Sequence, residues 1–492
     1  MNKNITNKKY DMDHEMGITS TKNDNFSDWY IQMITKGQFI EYYDISGCYV
    51  FLPNSYGIWE NIQKFLDSEF KNLGVKNAYF PLFISEKNLN KEKTHIDGFA
   101  PEVAWVTKGG NNDLAEKIAV RPTSECAMYP IFSNLIKSHN DLPLKMNQWC
   151  NVVRWEFKDC TPFIRNREFL WSELHGCYNS ESFATHDVLK VLDLYKQIYN
   201  DLLAIPVIKG KKTENEKFAG AGSTYTIEAY IPIIGKGIQA ATSHNLAQNF
   251  SKMFNIDFQD VDTQRKYVWQ ISCGITTRSI GIMLMNHGDN KGAIIPPYVA
   301  PVQIIIIPII IKNKKESVLN KCNELYNNLK KKYRVEMDTR NHNPGWKFNY
   351  WETQGVPIRI EIGPKDVEKN TITLCKRNDF VKTIVDNDTK IYDIIDLTFK
   401  NIHNELYTKA YNELMTNISC PSDNVEFEQA LNDKKLCYIN WCESDDCENK
   451  IKENNKAKPL CIPDDLNINL LDNVCCICEK DSKLKVLFGR SY

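Results

Sequence analysis

The residues of this 492-residue chain best suited to a polyphosphate are Arg154-Trp-Glu156, Arg165-Asn-Arg167 and a distant Arg278. A nucleoside triphosphate needs permanently charged donors. The planar guanidinium can hold phosphate oxygens two at a time, which an ammonium cannot. Other phosphate-binding solutions are missing. No Gly-x-x-x-x-Gly-Lys-Ser/Thr loop occurs, and Gly220-Ala-Gly222 lacks the third glycine of a dinucleotide-binding turn. The arginines must therefore be presented by strands and a loop. Taken singly, each reads as well as a surface or interface ion-pair residue. No Ser/His/Asp arrangement offers a protein nucleophile, so the chemistry points to charge stabilisation.

A second constellation lies near the end, at Cys442-x4-Cys447 and Cys475-Cys476-Ile-Cys478. Four thiolates at tetrahedral reach bind Zn²⁺ structurally, and reduced thiols in a metal-free domain are the alternative. Most of the other cysteines, of 16 in all, are scattered singly, as in a reduced, cytoplasmic protein. Met1 to Lys22 is polar, without an apolar signal segment, and Ile304–Ile311 is too short to span a bilayer. No membrane partner is expected. The net charge of −1 excludes a global field drawing the chain onto nucleic acid. Such a partner needs local patches such as Lys209–Lys212 or Lys330–Arg334.

These residues need elements to position them. Residues 1–25 read as a disordered tail. Tyr56–Leu73 has helical spacing, Gly74 fits its C-cap, and Val75–Phe80 reads as a strand closed by Pro81. Trp149–Phe157 and Glu168–Leu174 read as an antiparallel hairpin with a long cationic tip. Pro296-Pro297 marks a boundary. After it a small α/β domain is expected: strand Val302–Ile311, helix Ser317–Lys332, strand Arg334–Met337, a turn at Asn343-Pro-Gly345, and strand Pro357–Ile362. Glu448–Pro459 reads as a polar, flexible linker.

Together these runs resemble the three motifs of class II aminoacyl-tRNA synthetases. Tyr56–Pro81 is similar to motif 1. Arg154, Glu156 and Phe169 match motif 2, and Thr277-Arg278-Ser-Ile-Gly281 matches motif 3. The resemblance implies an α+β fold. A class II catalytic domain with a mixed, largely antiparallel sheet would occupy 26–297. An α/β anticodon-binding domain would occupy 298–400, and a C-terminal, zinc-binding domain 401–492. It also implies that Arg154 meets the α-phosphate of ATP, Glu156 the adenine amino group, and Phe169 the adenine face. Arg165 and Arg278 would meet the outer phosphates, Gln239, Thr242 and Thr276 the ribose and phosphates, and Mg²⁺ the remaining phosphate charge.

Within that class, further runs resemble prolyl-tRNA synthetases of the eukaryotic and archaeal type. They include Phe99–Thr107, Arg121-Pro-Thr-Ser-Glu125, Arg165–Trp171, Lys217–Gly220, Gly237–His244 and His287-Gly-Asp289. The implied proline pocket is Phe99, Thr123, Glu125, Arg154, Trp171, His175, Phe218 and Ser272, with His244 near the terminal adenosine of tRNA-Pro. A carboxylate and aromatic faces suit a compact ring bearing a cationic amine. Two positions depart from the pattern beside this pocket: Cys273 stands where an aromatic is expected, and Leu174 where glycine is.

Pro344–Phe348, Trp351-Glu352, Gly355–Pro357 and Gly363–Asp366 carry the likeness to the anticodon domain. Glu352, Lys365, Asp366 and Arg377 are its candidate base readers, with turn and surface charges as the alternative. For zinc, resemblance selects Cys442, Cys447, Cys476 and Cys478. Leu487–Tyr492 matches the family's last residues and implies a packed C-terminus. A homodimer built on motif 1 is expected. No cis editing domain is expected, because too few residues separate Trp171 from Gln239 to hold one. Two other readings stay open: a catalytically inactive binding relative, and a synthetase for another amino acid.

Overall fold

The computed structural model of the chain describes residues 17–95, 103–155, 159–388, 390–466, 468, 470 and 473–492, without the side chains of 91–95 and 312. The chain forms two compact units, one of Met1–Phe39 with His287–Ile402 and one of Ile40–Asn286 with His403–Tyr492. Packing therefore groups the segments differently from divisions after residues 25, 297 and 400. Helix Phe26–Lys36 belongs with the segment after His287, and the last ninety residues belong with the catalytic segment.

In the larger unit, helix Pro53–Asn72 opens on a proline, whose missing N–H costs nothing in a first turn. It buries Ile58, Ile62, Leu66 and Phe70, a stripe at helical spacing. Gly74 ends it at φ +76°. Its N–H donates to Lys71 O (3.0 Å) and that of Val75 to Phe70 O (2.9 Å), the paired bonds of a left-handed C-terminal cap. The strand expected at Val75–Phe80 shrinks to Lys76–Asn77, parallel to Met146–Asn147. The Phe80 N–H donates instead to the Gln148 side chain, 3.2 Å away.

The expected hairpin is present as strands Leu144–Val153 and Glu168–Tyr178, antiparallel from Leu144↔Cys177 to Val153↔Glu168. It belongs to an eleven-stranded sheet. Next to Glu168–Tyr178 come Trp269–Thr276, Lys236–Ala247, Ser223–Ile231 and Ile208–Lys211, each antiparallel to its neighbour. The sheet continues through Ala457–Pro463, Leu484–Ser491, Leu436–Trp441 and Ile418–Ser419. It is mixed and largely antiparallel, as expected. Helix Glu181–Gln197 covers one face, with the Ser243 hydroxyl donating to Val188 O at 2.8 Å.

The stretch expected as a flexible linker is helix Asp445–Asn455 followed by strand Ala457–Pro463. Cys447, Ile451 and Asn455 are buried at four-residue spacing, and Asp445, Asp446 and Glu448 favour the positive helix start. Polar composition hid both signals.

The smaller unit carries a five-stranded sheet in the order Val335–Met337, Ile304–Pro308, Ile358–Ile362, Thr371–Lys376, Lys382–Asp386. The first three strands are parallel and the rest antiparallel. Helix Lys315–Leu329 joins the first two strands in sequence, as the apolar pattern indicates. The expected turn at Asn343 is the start of helix Pro344–Gln354: Asn343 Oδ1 accepts from the Trp346 N–H at 2.8 Å, and Pro344 takes the first position. Residues 17–25 are not a disordered tail. Lys36 Nζ donates to Gly17 O (2.6 Å), the Thr19 N–H to Gln32 Oε1 (2.9 Å), and Asn25 caps helix Phe26–Lys36. The expectation for residues 1–16 lies outside the described residues.

Candidate functional site

Side chains alternate faces along a strand, so Trp171, Glu173 and His175 share the face of Glu168–Tyr178 turned away from helix Glu181–Gln197. Ser272 and Thr276 stand on the same face of the neighbouring strand, and Thr242 and His244 on the next. A cavity of about 320 Å³ opens on this face. Of the residues expected around proline it is lined by Thr123, Glu125, Arg154, Trp171, Phe218 and Ser272. Of those expected around ATP, Phe169, Gln239, Thr242, Thr276 and Arg278 also line it, as does His244. Phe99 and Glu156 lie outside the described residues. Arg165 and His175 are not on the wall.

The two cavity arginines are oriented by the backbone. Arg154 follows the hairpin strand; its N–H donates to Arg167 O (2.7 Å) and its Nε to Pro122 O (3.0 Å). Its guanidinium lies 5.5 Å from the Phe169 ring and 5.6 Å from the Trp171 ring. Arg278 opens helix Arg278–His287; Nε donates to Ile164 O (3.2 Å) and Nη1 to Gln239 O (3.1 Å). A helix start adds positive potential to that of the side chain. Arg165 is held in the loop by its N–H to Thr161 O (2.8 Å) and acts on Arg278 through its charge, without reaching the wall.

Beneath the wall lies a buried polar layer. His175 is fully buried, with Nε2 3.1 Å from Glu173 Oε1 and Nδ1 2.9 Å from the Tyr129 hydroxyl. Burial opposes charge on both partners of the Glu173–His175 pair. Their mutual hydrogen bond and attraction outweigh it, lowering the pKa of Glu173 and raising that of His175. His175 therefore backs the pocket and does not line it. Glu125 is 2% exposed, and burial raises its pKa. The Thr123 hydroxyl donates to it. His244 is driven the other way, to about 3, by burial and by the charges of His175 and Arg154, so it stays neutral.

Glu173, Asn166 and Glu216 also belong to this wall and were missed. The alternation Trp171, Glu173, His175 carried a signal for the first. Asn166 is buried at the wall, and neither amide atom pairs with another protein group. Leu174 turns away from the cavity, whereas Cys273 lines it as expected, although its sulfur points to the opposite face. They are direct cross-strand partners, and Cys273 Sγ lies 2.9 Å from the Ser243 hydroxyl under helix Glu181–Gln197.

The cysteine cluster also differs from expectation. The structure gathers Cys442, Cys447, Cys475 and Cys478 with sulfurs all within 4.8 Å of one another. Cys476 turns away, its sulfur donating to Asp423 O at 3.2 Å. Cys442 Sγ is 3.7 Å from both Cys447 Sγ and Cys478 Sγ. A tetrahedron with Zn–S bonds of about 2.3 Å has edges of about 3.8 Å, so the four thiols fit the ion.

In the smaller unit, two of the four expected base readers serve the fold. Arg377 is 3% exposed and makes a bidentate pair with Asp289 at 2.7 and 2.8 Å. Asp366 Oδ2 accepts from the Gly363 N–H at 2.8 Å, capping helix Pro364–Lys369. Glu352 accepts from Arg359 at 2.6 Å, and Lys365 is exposed. Among the described residues no helix is long and apolar enough to cross a membrane.

A family model for the class II tRNA synthetase core domain (G, H, P, S and T) matches residues 105–287, one for the anticodon binding domain matches 303–396, and one for the C-terminal region of prolyl-tRNA synthetase matches 425–492. The cytoplasmic proline–tRNA ligase of Arabidopsis thaliana is 46% identical over 495 residues, covering 99% of this chain and 93% of that protein. The bifunctional glutamate/proline–tRNA ligase of Cricetulus griseus is 45% identical over 503 residues; the match covers 97% of this chain but 33% of that relative. A crystal structure of prolyl-tRNA synthetase from Cryptosporidium parvum, complexed with halofuginone and AMPPNP, matches with a TM-score of 0.93 at 48% identity, covering 97% and 99% of the two chains.

Proposed function

The chain belongs to the prolyl-tRNA synthetase family, and from that premise we propose that it is a proline–tRNA ligase, activating proline with ATP and passing it to the terminal adenosine of tRNA-Pro. The observation that carries this reading is the single cavity lined by Arg154 and Arg278 together with a buried carboxylate, Glu125, and the rings of Trp171 and Phe218.

The proline carboxylate attacks the α-phosphorus of ATP and pyrophosphate leaves. Arg154 holds the α-phosphate and the carboxylate and Arg278 the outer phosphates, a reading supported by their sharing one cavity, so both meet charge that grows in the transition state. Phe169 stacks on adenine, with Glu156 on its amino group, and Gln239, Thr242 and Thr276 take the ribose and phosphates. Mg²⁺, entering with ATP, supplies further neutralisation of phosphate charge. The AMPPNP carried by the Cryptosporidium relative supports ATP as the nucleotide. Glu125 and the Thr123 hydroxyl hold the proline amine, with Phe99, Trp171, Phe218 and Ser272 around the ring. In the second step a hydroxyl of the tRNA's terminal ribose attacks the adenylate carbonyl, and neutral His244 faces that end. A splayed anticodon is read by the 303–396 segment, with Glu352 and Lys365 as its base contacts.

A structural Zn²⁺ would be held by Cys442, Cys447, Cys475 and Cys478. The same reading makes the protein cytoplasmic, in line with its Arabidopsis relative, and homodimeric through the motif 1 region, where Tyr56 and Tyr79 are 43% and 74% exposed. The residues between Trp171 and Gln239 supply a helix and strands of the catalytic sheet, which supports the absence of a cis editing domain from that interval. ATP–pyrophosphate exchange across the amino acids is the test. Exchange should depend on proline; exchange driven best by another amino acid, or none with proline, would overturn the reading.

A further inference from the structure

Between strands Ile208–Lys211 and Ser223–Ile231 the chain turns, with the Glu216 and Lys217 N–H groups donating to Thr213 O at 3.1 and 3.0 Å. The turn brings Glu216 and Phe218 to the cavity wall. Phe218 is anchored on one side. Its N–H donates to Thr224 Oγ1 (2.9 Å), which lies 2.9 Å from His244 Nδ1, and its ring sits 4.8 Å from the His244 ring. The turn before it is gripped by a segment more than 200 residues later in the chain. The Glu216 carboxylate lies 3.3 Å from Lys452 Nζ and 3.1 Å from Lys458 Nζ. Asn215 Nδ2 donates to Asp445 Oδ1 (2.8 Å) and Glu448 Oε2 (3.3 Å), and Lys452 pairs again with Glu448 at 2.7 Å.

None of Asn215, Glu216, Asp445, Glu448, Lys452 and Lys458 is needed by the chemistry above. The lysines are 36% and 39% exposed, so neither pair alone would hold a loop strongly. They share one carboxylate that is only 16% exposed, and the network closes through Glu448, which is fully buried. Such a clamp earns its place at a loop that must stay ordered beside a small ligand, because the binding energy of a compact ring is too modest to order the loop as well.

We propose that Glu216, Lys452 and Lys458 are positioning residues: through their ion pairs the C-terminal segment holds the Glu216–Phe218 turn against the cavity and so sets affinity for the amino acid, leaving ATP affinity alone. The inference rests on the assignment of Phe218 to the proline pocket.

The test compares full-length wild type, E216Q, K452A/K458A and the triple variant in ATP–pyrophosphate exchange, with melting temperatures as a check on folding. KM for proline should rise about fivefold in E216Q and in K452A/K458A, with kcat and KM for ATP unchanged and the triple variant no worse than E216Q. Raising the salt should lift the wild-type KM for proline towards that of E216Q. An unmoved KM for proline, parallel changes in the proline and ATP parameters, or multiplied losses in the triple variant would overturn the clamp. A wild type lacking proline-dependent exchange sinks the functional reading and the clamp with it; an active wild type with unmoved variants sinks the clamp alone.

Discussion

Burial pushes the Glu125 carboxyl up, His175 pulls it down, Glu173 pushes it up again, and the net shift is upward. A cationic amine is held by the ionised form. Proline should therefore bind more weakly as pH falls through that raised pKa, with KM for proline climbing on the acid side. E125Q should show a higher KM and a flat profile over the same range. Arg278 has a different signature. If it meets charge on the departing pyrophosphate, as proposed, R278K should cut kcat about 100- to 1000-fold while KM for proline changes little. A separate filter-binding measurement of proline would reveal any loss at the wrong step. Residue types and their order along the chain identified these groups, because arginines and carboxylates in fixed motifs have few other uses. The partners beneath them were illegible: nothing about Tyr129 marks it as the group behind His175. Cys475 and Cys476 show the limit most clearly. They are adjacent, and only the turn that carries them decides which sulfur faces the cluster.

At the scale of elements, the two departures from the family pattern resolve into one. Leu174 and Cys273 are register partners on the face covered by helix Glu181–Gln197. Where the pattern has glycine opposite a large aromatic, this chain has leucine opposite a small thiol, and the volumes compensate. L174G alone should destabilise the chain by about 2–5 kcal/mol through the cavity it leaves, and C273W alone by about 1–3 kcal/mol through overpacking. L174G/C273W should recover much of both losses, and chemical denaturation of the four chains measures the coupling. Additive losses would show that the two sites act independently. Secondary structure with a strong apolar period was legible: the helix at Pro53–Asn72, the hairpin, and the strand Ile304–Pro308 follow from it. Segments whose structure depends on caps were not. Asn343-Pro-Gly has turn composition, yet its asparagine satisfies a helix N–H, and Glu448–Pro459 has linker composition around a buried stripe.

For the molecule as a whole, the sequence divides by motif while the structure divides by packing. The cysteine cluster sits in the larger unit, and one of its members, Cys447, is on the helix that also carries Lys452. If the cluster holds zinc, metal analysis should give one ion per chain. C475S should lose most of that metal and melt at a lower temperature, whereas C476S should keep it. The reverse result would restore the ligand set expected from the family.

The eleven-stranded sheet carries a further consequence, in time. Strand Ile208–Lys211 pairs on its outer side with Ile462 and Pro463, about 250 residues further along the chain. At roughly 5–20 residues per second on the ribosome, that neighbour emerges some 10 to 50 s later. Throughout that interval the growing chain carries an open ladder of unpaired N–H and C=O groups beside the half-built cavity, a template for stray pairing with other nascent chains. Exposure of that edge should therefore be greatest midway through synthesis and end when the last strands add on.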